Sequence, residues 1–201
     1  MTTIDTGANV VLEGRHVRLE PLTRAHVAPL WELAGDPSIW TWTSVIRSRQ
    51  DLERYVEAAL EARAAGTALP FATIERAGGR VVGSTRFGSI EPVHRRVEIG
   101  WTWLAPPWQR TAINTEAKLL MLRHAFETWS CIRVELKTDA LNVRSRAAIL
   151  RLGATEEGTL RRHMIMEDGR VRDTVYYAIL AEAWPDIRRR LEARLARGAG
   201  V

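Results

Sequence analysis

Hydrophobic and polar positions repeat along this chain with the two periods that distinguish strands from helices. Residues 16–22 alternate in polarity, as a half-buried strand does. Further strand patterns cover residues 70–76, 81–90, 95–104, 132–137, 155–165 and 171–180. Apolar positions recur at helical spacing over residues 23–33, 49–65, 115–129, 145–152 and 182–197. The pattern therefore predicts about seven strands and five helices.

The order of these elements restricts the fold. In chain order they read β-α-α-β-β-β-α-β-α-β-β-α, with turns predicted at Gly78-Gly79 and Asp168-Gly169. A meander of antiparallel strands followed by a crossover helix implies a mixed, mostly antiparallel sheet with helices on both faces. With no repeat or linker composition, the sequence predicts one α/β (α+β) domain over residues 1–201. Residues 1–11 are expected to form a loose arm, and residues 182–201 a terminal helix and tail.

Composition excludes several classes of protein. A hydrophobic content of 46% and a charged content of 26% are ordinary for a folded domain. The single cysteine, Cys131, lies in an apolar run and is interpreted as a small core residue. No apolar run approaches the ~20 residues of a membrane-spanning helix, and a secretory signal pattern is absent at the N-terminus. We expect a cytoplasmic protein without a membrane partner, and we assign no metal site.

The net charge of +5 and the sequence pI of about 10.1 raise the question of nucleic-acid binding. The arginines are scattered, however, and the dense run at 188–190 lies in an amphipathic C-terminal segment. We therefore interpret the run as a solvated helix face and expect no nucleic-acid partner. A positive field would also suit an anionic cofactor. The sequence leaves the oligomeric state open, and a homodimer is compatible with it.

The segment from Glu98 to Ala117 carries the clearest chemistry. A strand is predicted to end near Leu104, a proline-marked loop follows, and a helix is expected to begin around Asn114. Backbone N–H groups at a helix N-terminus lack intrahelical partners and favour an anion. Side-chain donors are supplied by Gln109, Arg110, Thr111 and Asn114. The segment thus predicts an anion-binding loop without identifying the anion.

This loop resembles the acetyl-CoA-binding loop of the GNAT acetyltransferases, whose pattern is Gln/Arg-x-x-Gly-x-Gly/Ala. Gln109, Ala112 and Asn114 occupy the matching positions. The chain departs from the pattern at Ala112 and Asn114, where the family has glycine or a small residue. We expect Asn114 to cap the helix and to replace close backbone approach with a side-chain hydrogen bond.

A second element strengthens the resemblance. Asn142-Val-Arg-Ser145, followed by Leu152-Gly153-Ala154, is similar to the Asn-x-x-Ser element and helix ending of the Rim-type branch, which includes the ribosomal-protein alanine N-acetyltransferases. The first strand and the terminal hairpin also look like that branch. The resemblance therefore covers the chain from about Leu12 to Trp184.

The resemblance implies a sheet that splays between its fourth and fifth strands, near Leu104 and Leu136. The pantetheine arm of acetyl-CoA, the expected co-substrate, would lie in that gap. By resemblance, the cofactor-binding residues are Leu104, Gln109, Arg110, Thr111, Ala112, Ile113, Asn114, Thr115 and Asn142.

The implied reaction is direct attack of a neutral amine on a thioester, which requires a base and a proton for the leaving thiolate. Many GNAT enzymes use a tyrosine as the acid, and Ile149 occupies that position here. The Rim-type branch suggests Ser145 as a substitute. Candidates for the base are Glu98 and Glu135, with His163 and water as further options.

Eight tryptophans are many for this length. We predict that Trp31, Trp129 and Trp184 fill the core. An aromatic-lined acceptor pocket is predicted from Trp40, Trp42, Trp101 and Trp103.

The leading interpretation is an N-acetyltransferase that acts on a primary amine, either a protein N-terminal α-amine or a small-molecule amine. The alternative is a non-catalytic acyl-CoA-binding or sensor protein, because the usual tyrosine is missing and the loop is altered.

Overall fold

One mixed sheet organises the computed structural model, which describes residues 4, 9–43 and 46–197. Within these residues the sheet has eight strands in the order β1-β2-β3-β4-β5-β6-β8-β7. Their bounds are β1 Leu12–Glu13, β2 Val17–Pro21, β3 Leu69–Glu75, β4 Val81–Glu91, β5 Arg96–Leu104, β6 Arg133–Asp139, β7 Thr155–Ile165 and β8 Val171–Leu180. All neighbouring strands are antiparallel except β5 and β6.

Five α-helices cover the sheet in the described part of the chain. They are α1 Val27–Ala34, α2 Arg49–Ala64, α3 Ala112–Arg123, α4 Val143–Leu152 and α5 Trp184–Arg197. A π-helical turn, His124–Thr128, extends α3. Local chemistry sets several ends: Ser48 caps α2 by accepting the Asp51 N–H at 3.1 Å, and Gly153 closes α4 with φ of 100°.

The sequence predicted the seven longer strands to within two residues at each end. The two-residue strand β1, which pairs with β2, was missed, so the sheet has eight strands rather than seven. The helix expected to begin around Asn114 begins at Ala112 instead, because Thr111 is its cap. Residues 1–3, 5–8, 44–45 and 198–201 lie outside the described residues, so most of the expected N-terminal arm does too.

Each face of the sheet packs a separate apolar cluster. Helices α3, α4 and α5 share the larger cluster, which contains Trp129 and Trp184 as predicted. Helices α1 and α2 cover the other face, where Trp31 packs at the edge of a second cluster. Cys131 is 2% exposed, and burial raises the pKa of its thiol to about 11, so its assignment to the core is confirmed.

The sheet opens between β5 and β6. These parallel strands pair only from Arg96–Glu98 to Arg133–Glu135, although β5 continues to Leu104 and β6 to Asp139. The predicted splay is therefore present, and the gap connects the two faces of the sheet. None of the helices in the described ranges combines the length and apolar character needed to cross a membrane.

Candidate active site

The loop between β5 and α3 ends in a capped helix N-terminus. The Thr111 hydroxyl accepts the Ile113 N–H at 3.3 Å and donates to the Trp108 carbonyl at 2.7 Å. Arg110 adopts a left-handed backbone with φ of 62°. This geometry corrects the prediction that Asn114 caps the helix, since Asn114 is the third residue of α3 and lies within its first turn.

Asn114 is available for another purpose. Its Oδ1 atom is buried and has no hydrogen-bond partner among the described residues. A buried amide oxygen without a partner is costly, and in native proteins such an atom calls for an explanation. A ligand donor held above the first turn of α3 would supply the missing hydrogen bond.

Gln109 bridges the two sides of the gap. Its Nε2 donates to the Leu104 carbonyl at 2.8 Å, and its Oε1 accepts from Arg144 at the start of α4. The Leu104 carbonyl is therefore already satisfied by the protein. A pantetheine arm that bonded to this carbonyl would first have to displace the Gln109 amide.

A basic groove adjoins the same helix N-terminus. It has a volume of about 610 Å³ and is lined in part by Arg15, Arg76, Arg80, Thr111 and Ile113. Arg80 lies over the Trp108 ring at 4.9 Å, while Glu75 is its nearest acidic partner, at 3.5 Å. Helix N–H groups, the Asn114 oxygen and this groove fit the phosphates and amides of a coenzyme A molecule.

The start of α4 borders the other side of the gap. Asn142 caps the helix, accepting the Ser145 N–H at 3.0 Å with its side chain. Ser145 is half-buried, and its hydroxyl has no hydrogen-bond partner in the described ranges. Ile149, where many relatives place a tyrosine, is 7% exposed and packs in the larger apolar cluster.

Glu98 lies on the face of the sheet that α1 and α2 cover. It is 4% exposed, and its Oε2 accepts from Lys137 Nζ at 2.9 Å and from the Ser89 hydroxyl at 3.3 Å. Its Oε1 lies over Gly100, where a Cβ atom would approach it to 2.9 Å. Thus one carboxylate oxygen is held in place, whereas the other lies over a residue without a side chain at the edge of the gap.

Glu135 has different surroundings, although it pairs directly with Glu98. Arg96 Nη1 and Arg133 Nε contact its Oε1 at 3.2 and 2.8 Å. Arg96 Nη1 also donates to its Oε2 at 3.3 Å, so both oxygens of Glu135 are engaged, although it shares the last pair of the β5–β6 ladder with Glu98. The geometry thus favours Glu98 over Glu135 as the base. His163, the other option, forms a hydrogen bond between its Nδ1 and the Thr174 hydroxyl, at 3.1 Å.

Two of the four predicted acceptor tryptophans lie in the core. Trp40 and Trp103 are each 5% exposed, with ring centroids 5.0 Å apart, and both belong to the second cluster, so their place in an acceptor pocket stays a prediction. Trp101 is 40% exposed and lies 4.9 Å from the Arg86 guanidinium, on the same face as Glu98. Trp42 is half-buried beneath Arg170 at 5.3 Å.

A β-bulge directs Trp101 toward this face. Its φ is 50°, and the register between β4 and β5 shifts between Ser84 and Arg86. Gly88 makes room for the indole, because a Cβ atom there would come within 2.3 Å of the ring. The bulge also turns Thr102 to the opposite face, where Lys118 Nζ donates to its hydroxyl at 2.6 Å.

Sequence reasoning missed Lys118. The side chain is 5% exposed, donates also to the Thr85 hydroxyl at 3.0 Å, and lies directly beneath the bulge. Burial lowers the pKa of its ammonium to about 7. A lysine inside the apolar pattern of α3 was the available signal, since charged residues are rarely buried without a purpose.

Sequence reasoning also missed the charges that surround Glu98. Residues Arg133, Glu135, Lys137 and Asp139 alternate along β6 and therefore share one face. Four alternating charges in a central strand indicate a polar cleft rather than a core, and this signal was available in the sequence. No group of three or more His, Cys, Asp or Glu side chains in the described ranges is arranged to hold a metal ion.

Known proteins share both this fold and this sequence pattern. The family model described as acetyltransferase (GNAT) domain matches residues 16–155. A GCN5-related N-acetyltransferase from Brucella melitensis superposes with a TM-score of 0.88 at 30% identity, over 95% of this chain and 87% of that one. RimJ of Mycobacterium smegmatis, solved with a CoA-disulfide, superposes with a TM-score of 0.79 at 25% identity, over 92% and 95% of the two chains.

A relative of Bacillus subtilis (strain 168), YdaF, described as a ribosomal N-acetyltransferase, is 32% identical over 106 residues. The alignment spans 53% of this chain and 57% of that protein, so the chain spans little more than half the length of this curated relative. The match of the family model over most of the chain, together with the split sheet and the helix N-terminus beside it, places the chain in one family. It belongs to the GNAT acetyltransferase family.

Proposed function

We propose that this protein transfers the acetyl group of acetyl-CoA directly onto a primary amine. The observation that carries the proposal is the gap between β5 and β6, which has the capped N-terminus of α3 on one face and the buried carboxylate of Glu98 on the other. The thioester supplies an activated acetyl group when acetyl-CoA is bound. The raised pKa of Cys131 and its burial support transfer without a cysteine nucleophile.

The residues at α3 and α4 hold the coenzyme in this proposal. The first-turn N–H groups of α3, with Gln109, Arg110, Thr111 and Thr115, bind the pyrophosphate, and Ala112 and Ile113 allow close approach of the backbone. Asn114 accepts a hydrogen bond from the ligand at its unpaired Oδ1. Leu104 and Asn142 border the pantetheine arm on the two sides of the gap.

Glu98 holds the proton of the acceptor amine. Its Oε1 receives that proton, directly or through a water molecule, while Lys137 and Ser89 keep Oε2 in place. An α-amine has a pKa of ~8 and needs little help, whereas a lysine side chain at ~10.4 depends on the base more strongly. Ser145 donates its unpaired hydroxyl to the leaving thiolate, near the positive end of α4.

We infer that the acceptor is a protein N-terminal α-amine or a small-molecule amine, with Trp42 and Trp101 lining its site. YdaF and RimJ, both named for the ribosomal branch, favour the N-terminal α-amine of a ribosomal protein. The alternative function, acyl-CoA binding without transfer, is favoured by Ile149 in the position of the usual acid.

Calorimetric binding of acetyl-CoA, followed by release of free thiol against a panel of N-terminal peptides and small amines, tests the proposal. We expect micromolar binding and thiol release with one class of acceptor, and a lower kcat in Ser145→Ala with little change in the KM for acetyl-CoA. Binding without release on any acceptor would favour the sensor alternative. Absence of binding would reduce the loop to an ordinary helix cap and refute the proposal.

A further inference from the structure

On the face of the sheet that carries Glu98, cationic side chains outnumber carboxylates. A row of charged side chains crosses four neighbouring strands, from β4 through β5 and β6 to β8. At the open end of this face, the described residues include four cations and two carboxylates, which are Arg86, Lys137, Arg170 (in the turn before β8), Arg172, Glu98 and Asp139. At the paired end of the same face, Arg96 and Arg133 contact Glu135.

Both carboxylates are already paired at short range. Glu98 contacts Lys137 at 2.9 Å, and Asp139, which is 1% exposed, contacts Arg170 at 2.7 Å. These two pairs leave Arg86 and Arg172 without a carboxylate of their own. The two guanidiniums lie on opposite sides of the Glu98–Lys137 pair, one on β4 and one on β8.

Arg86 is a buried cation between two rings. It is 7% exposed, and its guanidinium carbon lies 5.1 Å from the centre of Tyr55 and 4.9 Å from that of Trp101. None of the described side chains or carbonyls forms an ion pair or a hydrogen bond with it. Its nitrogens nevertheless keep some access to solvent. Cation–π contacts orient the guanidinium but leave all five of its N–H donors unused.

Arg172 is also incompletely partnered. Its Nε is buried without a hydrogen-bond partner among the described residues, and its nearest carboxylate oxygen, on Asp139, is 4.0 Å away. Asp139 is shared with Arg170, and burial lowers the pKa of the Arg172 guanidinium. Burying a cation without a counterion is expensive, so two such residues in one cleft indicate a place for an external anion.

We propose that the acceptor is a primary amine that also carries an anionic group, a carboxylate or a phosphate, and that Arg86 and Arg172 bind that group. The inference rests on the proposed function, since it gives the substrate class of the same site. The anion would neutralise the surplus charge of the cleft, while the amine lies at Glu98 between the two guanidiniums. The surplus positive charge also favours the neutral form of the amine, which is the form that attacks.

The test compares acceptors that differ in one charge. Two pairs suffice: the C-terminally amidated peptides Ser-Asp-Ala-NH2 and Ser-Asn-Ala-NH2, and the small amines β-alanine and β-alaninamide. For at least one pair, the anionic member should have a kcat/KM about tenfold or more above its neutral partner, because a charge-assisted hydrogen bond contributes about this much. The peptide pair and the small-amine pair distinguish a protein N-terminus from a metabolite as the source of the anion.

The substitutions Arg86→Met and Arg172→Met should each reduce this ratio toward one. The matched control is Arg189→Met, which removes an exposed arginine that pairs with Asp186 on α5 and should leave the ratio unchanged. Acetyl-CoA binding by calorimetry checks that each variant is folded. A wild-type ratio near one, or a high ratio that persists in both variants, would overturn the proposal.

A binding measurement separates this inference from the proposed function. Binding of the N-acetylated products, N-acetyl-Ser-Asp-Ala-NH2 and N-acetyl-Ser-Asn-Ala-NH2, requires no transfer and can be followed by calorimetry at millimolar concentration. Selective binding of the acidic product, lost in Arg86→Met, would support the anion site even if no acceptor released thiol. Equal binding of the two products, or no binding of either, would count against it.

Discussion

Glu98 and Glu135 are neighbours in the parallel pairing of β5 and β6, yet only one is suited to accept a proton. Glu98 has one oxygen over Gly100, at the open end of the paired segment. Glu135 lies in the same pair, but two arginines engage both of its oxygens. A carboxylate with both oxygens bonded to guanidiniums has no free oxygen to reach an amine, whereas Glu98 keeps Oε1 without a partner among the described residues.

Substituting each glutamate separates catalysis from structure. We expect Glu98→Gln to lower kcat/KM by about 100-fold or more, the usual contribution of a general base, with unchanged acetyl-CoA affinity. Glu135→Gln should keep most of its rate but lower the free energy of unfolding by about 1–3 kcal/mol, since charged hydrogen bonds are lost. Steady-state kinetics with chemical denaturation checks both. The reverse pattern would assign the base to Glu135.

Lys118 makes the stability of the protein depend on pH in a defined direction. Its pKa is about 7 in the folded protein and 10.5 when unperturbed, so the unfolded chain binds more protons between these pH values. The contribution of Lys118 to the free energy of unfolding therefore rises with pH across this window. Below pH about 7, the destabilisation that results from burying the charged Lys118 no longer changes with pH.

Comparison with Lys118→Met isolates this contribution. The variant should exceed the wild type in stability most below pH 7, by on the order of 5 kcal/mol from this effect, and the advantage should shrink as the pH approaches 10. Thr85 and Thr102 can still bond each other at 2.7 Å, so the variant should fold. Denaturation at several pH values measures the difference. A constant difference would mean that Lys118 stays charged in the folded protein.

At the scale of elements, two residues at the N-terminus of α3 have different roles. Thr111 caps the helix, whereas Asn114 has an unpaired oxygen inside the first turn. The element also holds β2 in place, because the Glu116 carboxylate accepts the N–H groups of His16 and Val17 at 2.6 and 2.8 Å. The helix can therefore serve as a rigid base for a ligand.

Two alanine variants should separate these duties. Thr111→Ala should lower the free energy of unfolding by about 1 kcal/mol through loss of the cap. Asn114→Ala should leave stability unchanged or slightly higher, since it removes a buried atom without a partner, but should weaken coenzyme A binding. Thermal denaturation and calorimetry give the two readouts. Undiminished coenzyme affinity in Asn114→Ala would remove that residue from the site.

At the scale of the whole molecule, an apolar cluster packs on each face of the sheet, but the sheet is open between β5 and β6. The pairing of β5 with β6 ends at Glu98 and Glu135, while β6 pairs with β8 along its whole length. The strand edges beside the gap are thus left for a ligand. Gln109 and Arg144 contact each other across it, and Lys137 of β6 contacts Glu98 of β5 at its paired end.

Coenzyme A should therefore stabilise the molecule locally and globally. At a concentration of 100 times its Kd, a ligand raises the free energy of unfolding by about 2.7 kcal/mol, which should appear as a higher Tm. Hydrogen exchange should slow in residues 99–104 and in the first turn of α3, and remain unchanged in α5. Protection spread evenly over all helices would contradict binding in the gap.

The sequence by itself determined the elements and their order. Alternation in residues 81–90 and 95–104, and helical spacing in α2 and α5, depend only on which face of an element meets the core, so they were readable along the chain. The identities of Gln109, Asn142 and Ser145 also singled out the loop before α3 and the start of α4, which border the gap in the structure. The helix start was misplaced because Thr111 and Asn114 both favour a cap position, and the sequence offers no measure of which of them occupies it.

Only the tertiary structure decided which side chains meet across the gap. Trp101 and Trp103 are equivalent in the strand pattern, but a bulge and the space above Gly88 expose the first, while the α1–α2 cluster buries the second. Arg86, Lys137 and Arg172 come from three strands far apart in the chain, and their charge imbalance exists only once β4, β6 and β8 lie side by side. Register and long-range pairing set these contacts, and neither is written in local periodicity.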